Sequence, residues 1–256
     1  MGRMDLRIGN RTFGPGKPAL IVAEISSNHG GSLYNAKHLI RTARWVGADA
    51  VKFQCYTPEE LLQLRHGGQD GSAPAPWDHL TLLQLYQESQ TPHDWFPELF
   101  AEAARQEILA FSSVFGVESL AFLESLKCPA YKIAAADAER IDFITAVLQT
   151  GKPLLASTNT GAKYPTGRNI LLQLWCPPGY PPEHLDLYQI HHLDGFSCHR
   201  PEPLLGALAV ANGAWIIEFH LKPEEHTMLL DDSVSLSPWQ FTEMAALVRR
   251  AERNMP

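Results

Sequence analysis

The chain has 256 residues, 45% of them hydrophobic and 19% charged, enough to bury one sizeable core, so a single domain over residues 1–256 is expected. A formal net charge of −7 argues against a nucleic-acid surface, which leans on clustered Lys and Arg, but leaves room for an anionic small molecule held by a few buried lysines. No apolar run is long enough to span a bilayer, the first residues lack a signal-peptide core, and Cys55, Cys128, Cys176 and Cys198 form no CxxC pair, so a soluble cytoplasmic protein with reduced thiols and no membrane partner is expected.

The run ALIVAEIS from residue 19 is too apolar for a sheet exposed on one face and predicts a parallel strand buried on both. Residues 33–46 have helical spacing that stops at Gly47. Residues 48–56 (ADAVKFQCY) predict the next strand, with Lys52 and Gln54 on one face. Residues 57–90 form a longer connection containing the loop HGGQDGSAPAP and a short helix over 79–88, and a connection of this length suits a binding loop or lid. Thr91 and Pro92 then predict an N-cap and a first helical residue, for a helix running to about Gln106.

The beat continues with strands predicted at 108–114, 130–135, 154–158, 170–175, 195–199 and 215–221, and helices at 118–126, 142–149, 203–211 and 238–253. Eight strands with helices between most of them predict an α/β fold, a (β/α)8 TIM barrel. The connections 159–169 and 176–193 are too rich in Gly, Thr, Asn and Pro for full helices, so helices are expected to be reduced or missing around the fifth to seventh strands. A doubly wound open sheet is the alternative, but no GxGxxG turn follows the first strand to support it.

In a barrel the reacting groups come from the C-terminal ends of the strands. The stretch 195–221 carries two such ends, on which Ser197 shares a face with His199 and Glu218 shares a face with His220. If these strands are parallel neighbours, two imidazoles converge beside a carboxylate, a set suited to a divalent first-row metal. Either histidine alone reads more readily as a capped or packed strand-end residue, and it is the repeated spacing that favours the metal. Lys52 between Val51 and Phe53, and Lys132 between Tyr131 and Ile133, would each be costly to bury without an anionic partner. That partner is either a glutamate such as Glu24 or Glu218, or a bound phosphate and carboxylate aided by the hydroxyls of Ser113, Ser157 and Ser197. Cys198 points to the face opposite His199 and is not expected to be a ligand.

The segments AEISSNHGG (23–31), GADAVKFQCYTPEEL (47–61), LYQESQTPHDW (85–95), FSSVF (111–115), CPAYKIAA (128–135), TGKPLLAST (150–158), GFSCH (195–199) and IIEFH (216–220) resemble the barrel of the sialic acid synthase family, whose members make N-acetylneuraminate, legionaminate or pseudaminate. The TPxxW segment is most similar to the pseudaminate branch. The resemblance implies condensation of phosphoenolpyruvate with an amino-sugar aldehyde and release of phosphate, with a divalent metal such as Mn²⁺, or Mg²⁺ or Co²⁺ in its place. By that resemblance His199 and His220 match metal ligands, and Lys52, Lys132, Ser113, Ser157 and Ser197 match groups around phosphoenolpyruvate. Glu24, Glu218 and Asp231 match acidic residues near the water and the sugar, while Gln54 and Tyr180 are read as substrate contacts. A homodimer is expected by the same analogy.

The departures bear on function. The family's SDH reads Ser197-Cys198-His199, its IAS reads Ile133-Ala134-Ala135, and its Asn before a YPxP turn is missing from Trp175-Cys176-Pro177-Pro178-Gly179-Tyr180. The altered anion shell also admits aldolase or lyase chemistry on a keto acid, or sugar binding without catalysis. The C-terminal antifreeze-like domain of the family is not expected after the last helix.

Overall fold

Eight parallel strands close on themselves, each too apolar to leave either face in water. The computed structural model describes residues 5–9, 11–160, 171–224 and 229–254. A short hairpin, β1 (Leu6–Ile8) and β2 (Arg11–Phe13), comes first. Then follow β3 (Leu20–Glu24), α1 (Leu33–Trp45), β4 (Ala50–Cys55), α2 (Pro58–His66), α3 (Leu82–Ser89), α4 (Phe96–Arg105) and β5 (Leu109–Val114). The chain continues through α5 (Val117–Ser125), β6 (Tyr131–Ile133), α6 (Ile141–Leu148), β7 (Leu154–Thr158) and β8 (Leu171–Trp175). It ends with β9 (Gly195–Cys198), α7 (Leu204–Ala211), β10 (Ile216–Leu221), the two-residue β11 (Ser235–Leu236) and α8 (Pro238–Asn254).

Strands β3 to β10 pair in sequence order, and β10 pairs with both β9 and β3, which closes the barrel. Every residue of β3, β7 and β10 is buried, as expected of strands covered by side chains inside and helices outside. Closure needs Gly195, because a Cβ there would stand 2.5 Å from the Ile216 carbonyl oxygen on β10. The hairpin belongs to the N-terminal end of the barrel. There Arg11 and Arg249 both reach Asp49, and Leu6, Ile8 and Phe13 join the main core.

The predicted strands all form within a residue or two, and the open-sheet alternative is replaced by a closed barrel. Between β8 and β9 the proline-rich run carries only a 3-10 turn, Leu187–His192, in line with the expected loss of a helix. The other connection expected to lack one, 159–169, lies mostly outside the described residues. Thr91 does not cap α4. Thr91-Pro92 precedes a 3-10 turn, His93–Trp95, and α4 starts at Phe96 with Pro97 in its first turn. Thr91 is instead buried against His29, its Oγ1 3.4 Å from the imidazole Nε2. The long connection holds an additional helix, α2, capped by Thr57, with Pro58 in its first turn and ended by Gly67 at φ 60°. Among the described residues no helix is long and apolar enough to cross a membrane.

Candidate active site

A cavity of about 340 Å³ opens over the C-terminal ends of the barrel strands, within the range of small-molecule sites. Strand register sets its floor. His220, Glu24 and Lys52 are successive partners across β10, β3 and β4, and Gln54, Ser113 and Lys132 are successive partners across β4, β5 and β6. Glu218 on β10 faces Ser197 on β9. All the predicted site residues except Glu24 line the cavity, and Glu24 lies directly behind it as the ion-pair partner of Lys52.

The two lysines are buried in one charge network. Lys52 pairs with Glu24, donates to Ser113 Oγ at 3.0 Å and lies 3.7 Å from Glu218 Oε1. Lys132 donates to Ser157 Oγ at 2.6 Å and lies 3.7 Å from the same Glu218 oxygen. Burial favours the neutral form of both, yet Glu218 and Glu24 outweigh it at Lys52 and hold its pKa above the ordinary lysine value. At Lys132, burial and the neighbouring Lys52 prevail over Glu218 and the pKa falls below the ordinary value. Burial would raise the Glu218 carboxyl, but Lys132 and Lys52 bring it down to about 2. Ser197 Oγ donates to Glu218 Oε1 at 2.8 Å, while Glu218 Oε2 is buried without a hydrogen-bond partner. The lysines thus have glutamate partners already, as one of the two sequence readings held, and they also face a cavity large enough for an anion.

The histidines meet at the C-terminal ends of β9 and β10. The His199 and His220 rings are 5.2 Å apart between centroids and inclined at 60°. Burial, and then the nearby His220, lower the His199 pKa to about 3, so this imidazole is neutral at physiological pH. His220 Nδ1 is buried without a hydrogen-bond partner, 3.6 Å from Asp231 Oδ2. Asp231 is itself well supplied with donors, from Tyr180 OH at 2.5 Å, Ser26 Oγ at 3.1 Å and Ser27 Oγ. Burial pushes its carboxyl up, but His220 and these hydroxyls leave it well below the ordinary aspartate value. A neutral, half-buried imidazole next to one with an orphaned ring nitrogen offers two nitrogen ligands of the kind a first-row divalent cation takes. Among the described residues no group of three or more His, Cys, Asp or Glu side chains is set to hold a metal.

Sequence reasoning missed several groups here. Cys176 Sγ lies 3.8 Å from His199 Nδ1, whereas Cys198 turns away and contacts Arg200, as its strand position requires. Ala135 and Cys176, two of the departures from the family pattern, both line the cavity. Trp77 donates from its indole to the Leu230 carbonyl at 3.2 Å and sits 5.6 Å from the Tyr180 ring, which brings the 67–81 loop over the cavity as the length of that connection suggested. Arg65 on α2 also lines it, and nothing in the surrounding helical pattern marks that residue.

The NeuB family profile matches residues 39–256. The chain is 34% identical to a pseudaminic acid synthase of Campylobacter jejuni over 96% of its own length and 77% of that protein. It is 28% identical to an N-acetylneuraminate-9-phosphate synthase of Mus musculus, over 95% of this chain and 73% of the other. Among solved structures, the N-acetylneuraminic acid synthetase of Leptospira borgpetersenii in complex with citrate superposes with a TM-score of 0.85 at 25% identity, covering 98% of this chain and 90% of that one. A truncated 3-deoxy-D-arabino-heptulosonate 7-phosphate synthase of Thermotoga maritima shares the barrel, with a TM-score of 0.71 at 14% identity, covering 97% of this chain and 92% of the other.

Proposed function

The chain belongs to the NeuB family, and from that membership we propose that it condenses phosphoenolpyruvate with an amino-sugar aldehyde of the N-acetylhexosamine type to give a nonulosonic acid and phosphate. One observation carries the reading: two buried lysines, both 3.7 Å from Glu218, and two histidines with rings 5.2 Å apart face the same cavity.

Lys52 and Lys132, with Ser113 and Ser157, bind the phosphate and carboxylate of the donor. His199 and His220 hold a divalent ion, Mn²⁺ or alternatively Mg²⁺ or Co²⁺, whose bound form supplies Lewis-acid polarisation of the aldehyde oxygen. The enol carbon bonds to the aldehyde carbon, whose oxygen takes a proton to become a hydroxyl; water adds to the former enol phosphate carbon with loss of a proton, and the bond from that carbon to the phosphate oxygen breaks as the new hydroxyl gives up its proton to leave a ketone. Glu218 is the better acceptor for the proton of that water, because its Oε2 is free whereas Glu24 accepts from the Ser26 amide at 2.7 Å and pairs with Lys52. With both lysines turned on Glu218 the carboxylate is a weak base. An anion that draws their charge away raises its basicity when the donor is in place. Tyr180 and Asp231, hydrogen-bonded to each other, and Gln54 contact the acceptor.

The test is phosphate release from phosphoenolpyruvate with Mn²⁺ and a panel of N-acetylated hexoses, with His199→Ala as control. Sugar-dependent release that the variant loses supports the reading. No release with any sugar by protein that has taken up the metal rejects it.

A further inference from the structure

Four consecutive polar residues after β3, Ser26-Ser27-Asn28-His29, are all buried, although a turn made of such residues ordinarily sits in water. Of the four, Ser27 alone lines the cavity, so the condensation chemistry leaves Asn28 and His29 without a task. Their hydrogen bonds show where the turn is tied. His29 secures the turn itself. Its Nδ1 accepts from the Gly31 amide at 3.0 Å, which puts the ring proton on Nε2, 3.4 Å from Thr91 Oγ1, and the ring stands edge-to-face with Trp95, centroids 5.3 Å apart.

Asn28 ties the turn across to β10 and β11. Its Nδ2 donates to the Leu221 carbonyl at 2.9 Å and to Ser235 Oγ at 2.8 Å. The amide orientation is fixed, because the Leu221 carbonyl can only accept. Ser235 is the strand partner of His220, and its hydroxyl donates in turn to the Asp231 carbonyl at 2.6 Å. One turn therefore holds Asp231 twice, at its carboxylate by the hydroxyls of Ser26 and Ser27 and at its backbone through Asn28 and Ser235. Asn28 Oδ1 is buried without a partner, a cost that offsets what the two donated bonds contribute to folding. Stability is thus a poor account of the residue, and the placement of Asp231 is a better one.

We propose that Asn28 is a positioning residue that, acting through Ser235, fixes Asp231 at the edge of the cavity and so sets the affinity for the acceptor. This role depends on the reading of Asp231 as an acceptor contact, and two measurements keep them apart. Asn28→Asp keeps the volume and replaces both donors by an acceptor, and Ser235→Ala removes the intermediate hydroxyl. Steady-state kinetics and amide hydrogen exchange by mass spectrometry are followed for the wild type, both single variants and the double variant. Each single variant is expected to raise the Michaelis constant for the acceptor about tenfold and to leave that for phosphoenolpyruvate unchanged. Exchange over residues 229–236 should quicken while the barrel strands keep the wild-type rates. Because the two residues act in series, the double variant should be no worse than the worse single. Should Asn28→Asp fail to fold, Ser235→Ala carries the same expectation. An unchanged acceptor constant, a loss shared by both substrates with faster exchange throughout the barrel, or additive effects in the double variant would overturn the assignment. If the wild type releases no phosphate with any sugar, the synthase reading fails and exchange alone decides. Acceleration confined to 229–236 then upholds the positioning role, and uniform or unchanged exchange rejects it.

Discussion

Lys132 Nζ stands 3.7 Å from Glu218 Oε1, close enough for charge attraction but too far for a hydrogen bond, and among the described residues its one short contact to a side chain is with neutral Ser157. The same Glu218 oxygen is also 3.7 Å from Lys52. One carboxylate therefore separates two buried ammonium groups. Glu218→Gln keeps the shape and removes that charge, which leaves Glu24 as the sole carboxylate in ion-pair contact with either lysine among the described residues. Loss of a buried partner of this kind costs about 3–5 kcal/mol. Inorganic phosphate is then expected to raise the melting temperature of the variant more than that of the wild type, because the anion replaces the missing charge. Thermal unfolding with and without phosphate checks it, and equal shifts in the two proteins would contradict the anion site.

Divalent ion uptake is expected to need both histidines. Equilibrium dialysis with Mn²⁺ should give one ion per chain for the wild type, with His199→Gln and His220→Gln each weaker by at least about tenfold. Cys176→Ser, which changes only the 3.8 Å neighbour of His199, is expected to retain the ion. Retention by both histidine variants would place the ion elsewhere.

Stability of the metal-free protein should fall as pH drops below 6.5, and the sign follows from two histidines whose desolvation keeps them neutral. Burial lowers the pKa of His29 to about 4 and that of His199 to about 3, both beneath the ordinary value of 6.5. Below 6.5 the unfolded chain takes up protons that the folded chain refuses until pH approaches 4 and 3, so the stabilisation is complete above 6.5 and declines through that window. Each histidine contributes a loss of about 2 kcal/mol between pH 6.5 and 5. Glu218 acts in a lower window, from its ordinary 4.5 down to about 2, and does not account for this slope. Denaturant titrations at pH 7.5, 6 and 5 measure it. His29→Asn and His199→Gln should each remove about one proton from the uptake on unfolding.

Lys52 and Lys132 are legible in the sequence because an ammonium between Val51 and Phe53, or between Tyr131 and Ile133, violates the burial that an all-apolar strand demands. His199 and His220 are legible through repeated spacing, since a period of two fixes which side chains share a face. Arg65 is not, because LLQLRH is an ordinary helical pattern and only the docking of α2 beside Phe115 and Asp137 buries its Nε. The two Thr-Pro pairs show the limit of local signals. Thr57-Pro58 opens α2, whereas Thr91-Pro92 leads into a 3-10 turn with Thr91 buried on His29, an outcome decided by a contact 62 residues away in the chain. The β1–β2 hairpin is missed for another reason: strands of three residues are too short for periodicity to show.

Asp49 ties the opposite end of the barrel and should report on stability alone. Its Oδ2 accepts from the Ile21 amide at 2.9 Å and from Arg249 Nη2 at 2.6 Å, and its Oδ1 accepts from Arg11 Nη2 at 2.6 Å. A single carboxylate thus fastens β3, α8 and the N-terminal hairpin together ahead of β4. Asp49→Ala leaves a backbone amide and two arginines without that acceptor, at a cost of about 2–3 kcal/mol, discounted for the partial exposure of both arginines. Because the barrel separates a stabilising N-terminal face from a reactive C-terminal face, the Michaelis constants and metal uptake of the variant should match the wild type at temperatures where both are folded. Glu218→Gln, at the reactive end, should change both stability and turnover. If Asp49→Ala altered the Michaelis constant for either substrate while the barrel remained folded, the two faces would be coupled, and the site could not be treated as resting on a rigid frame.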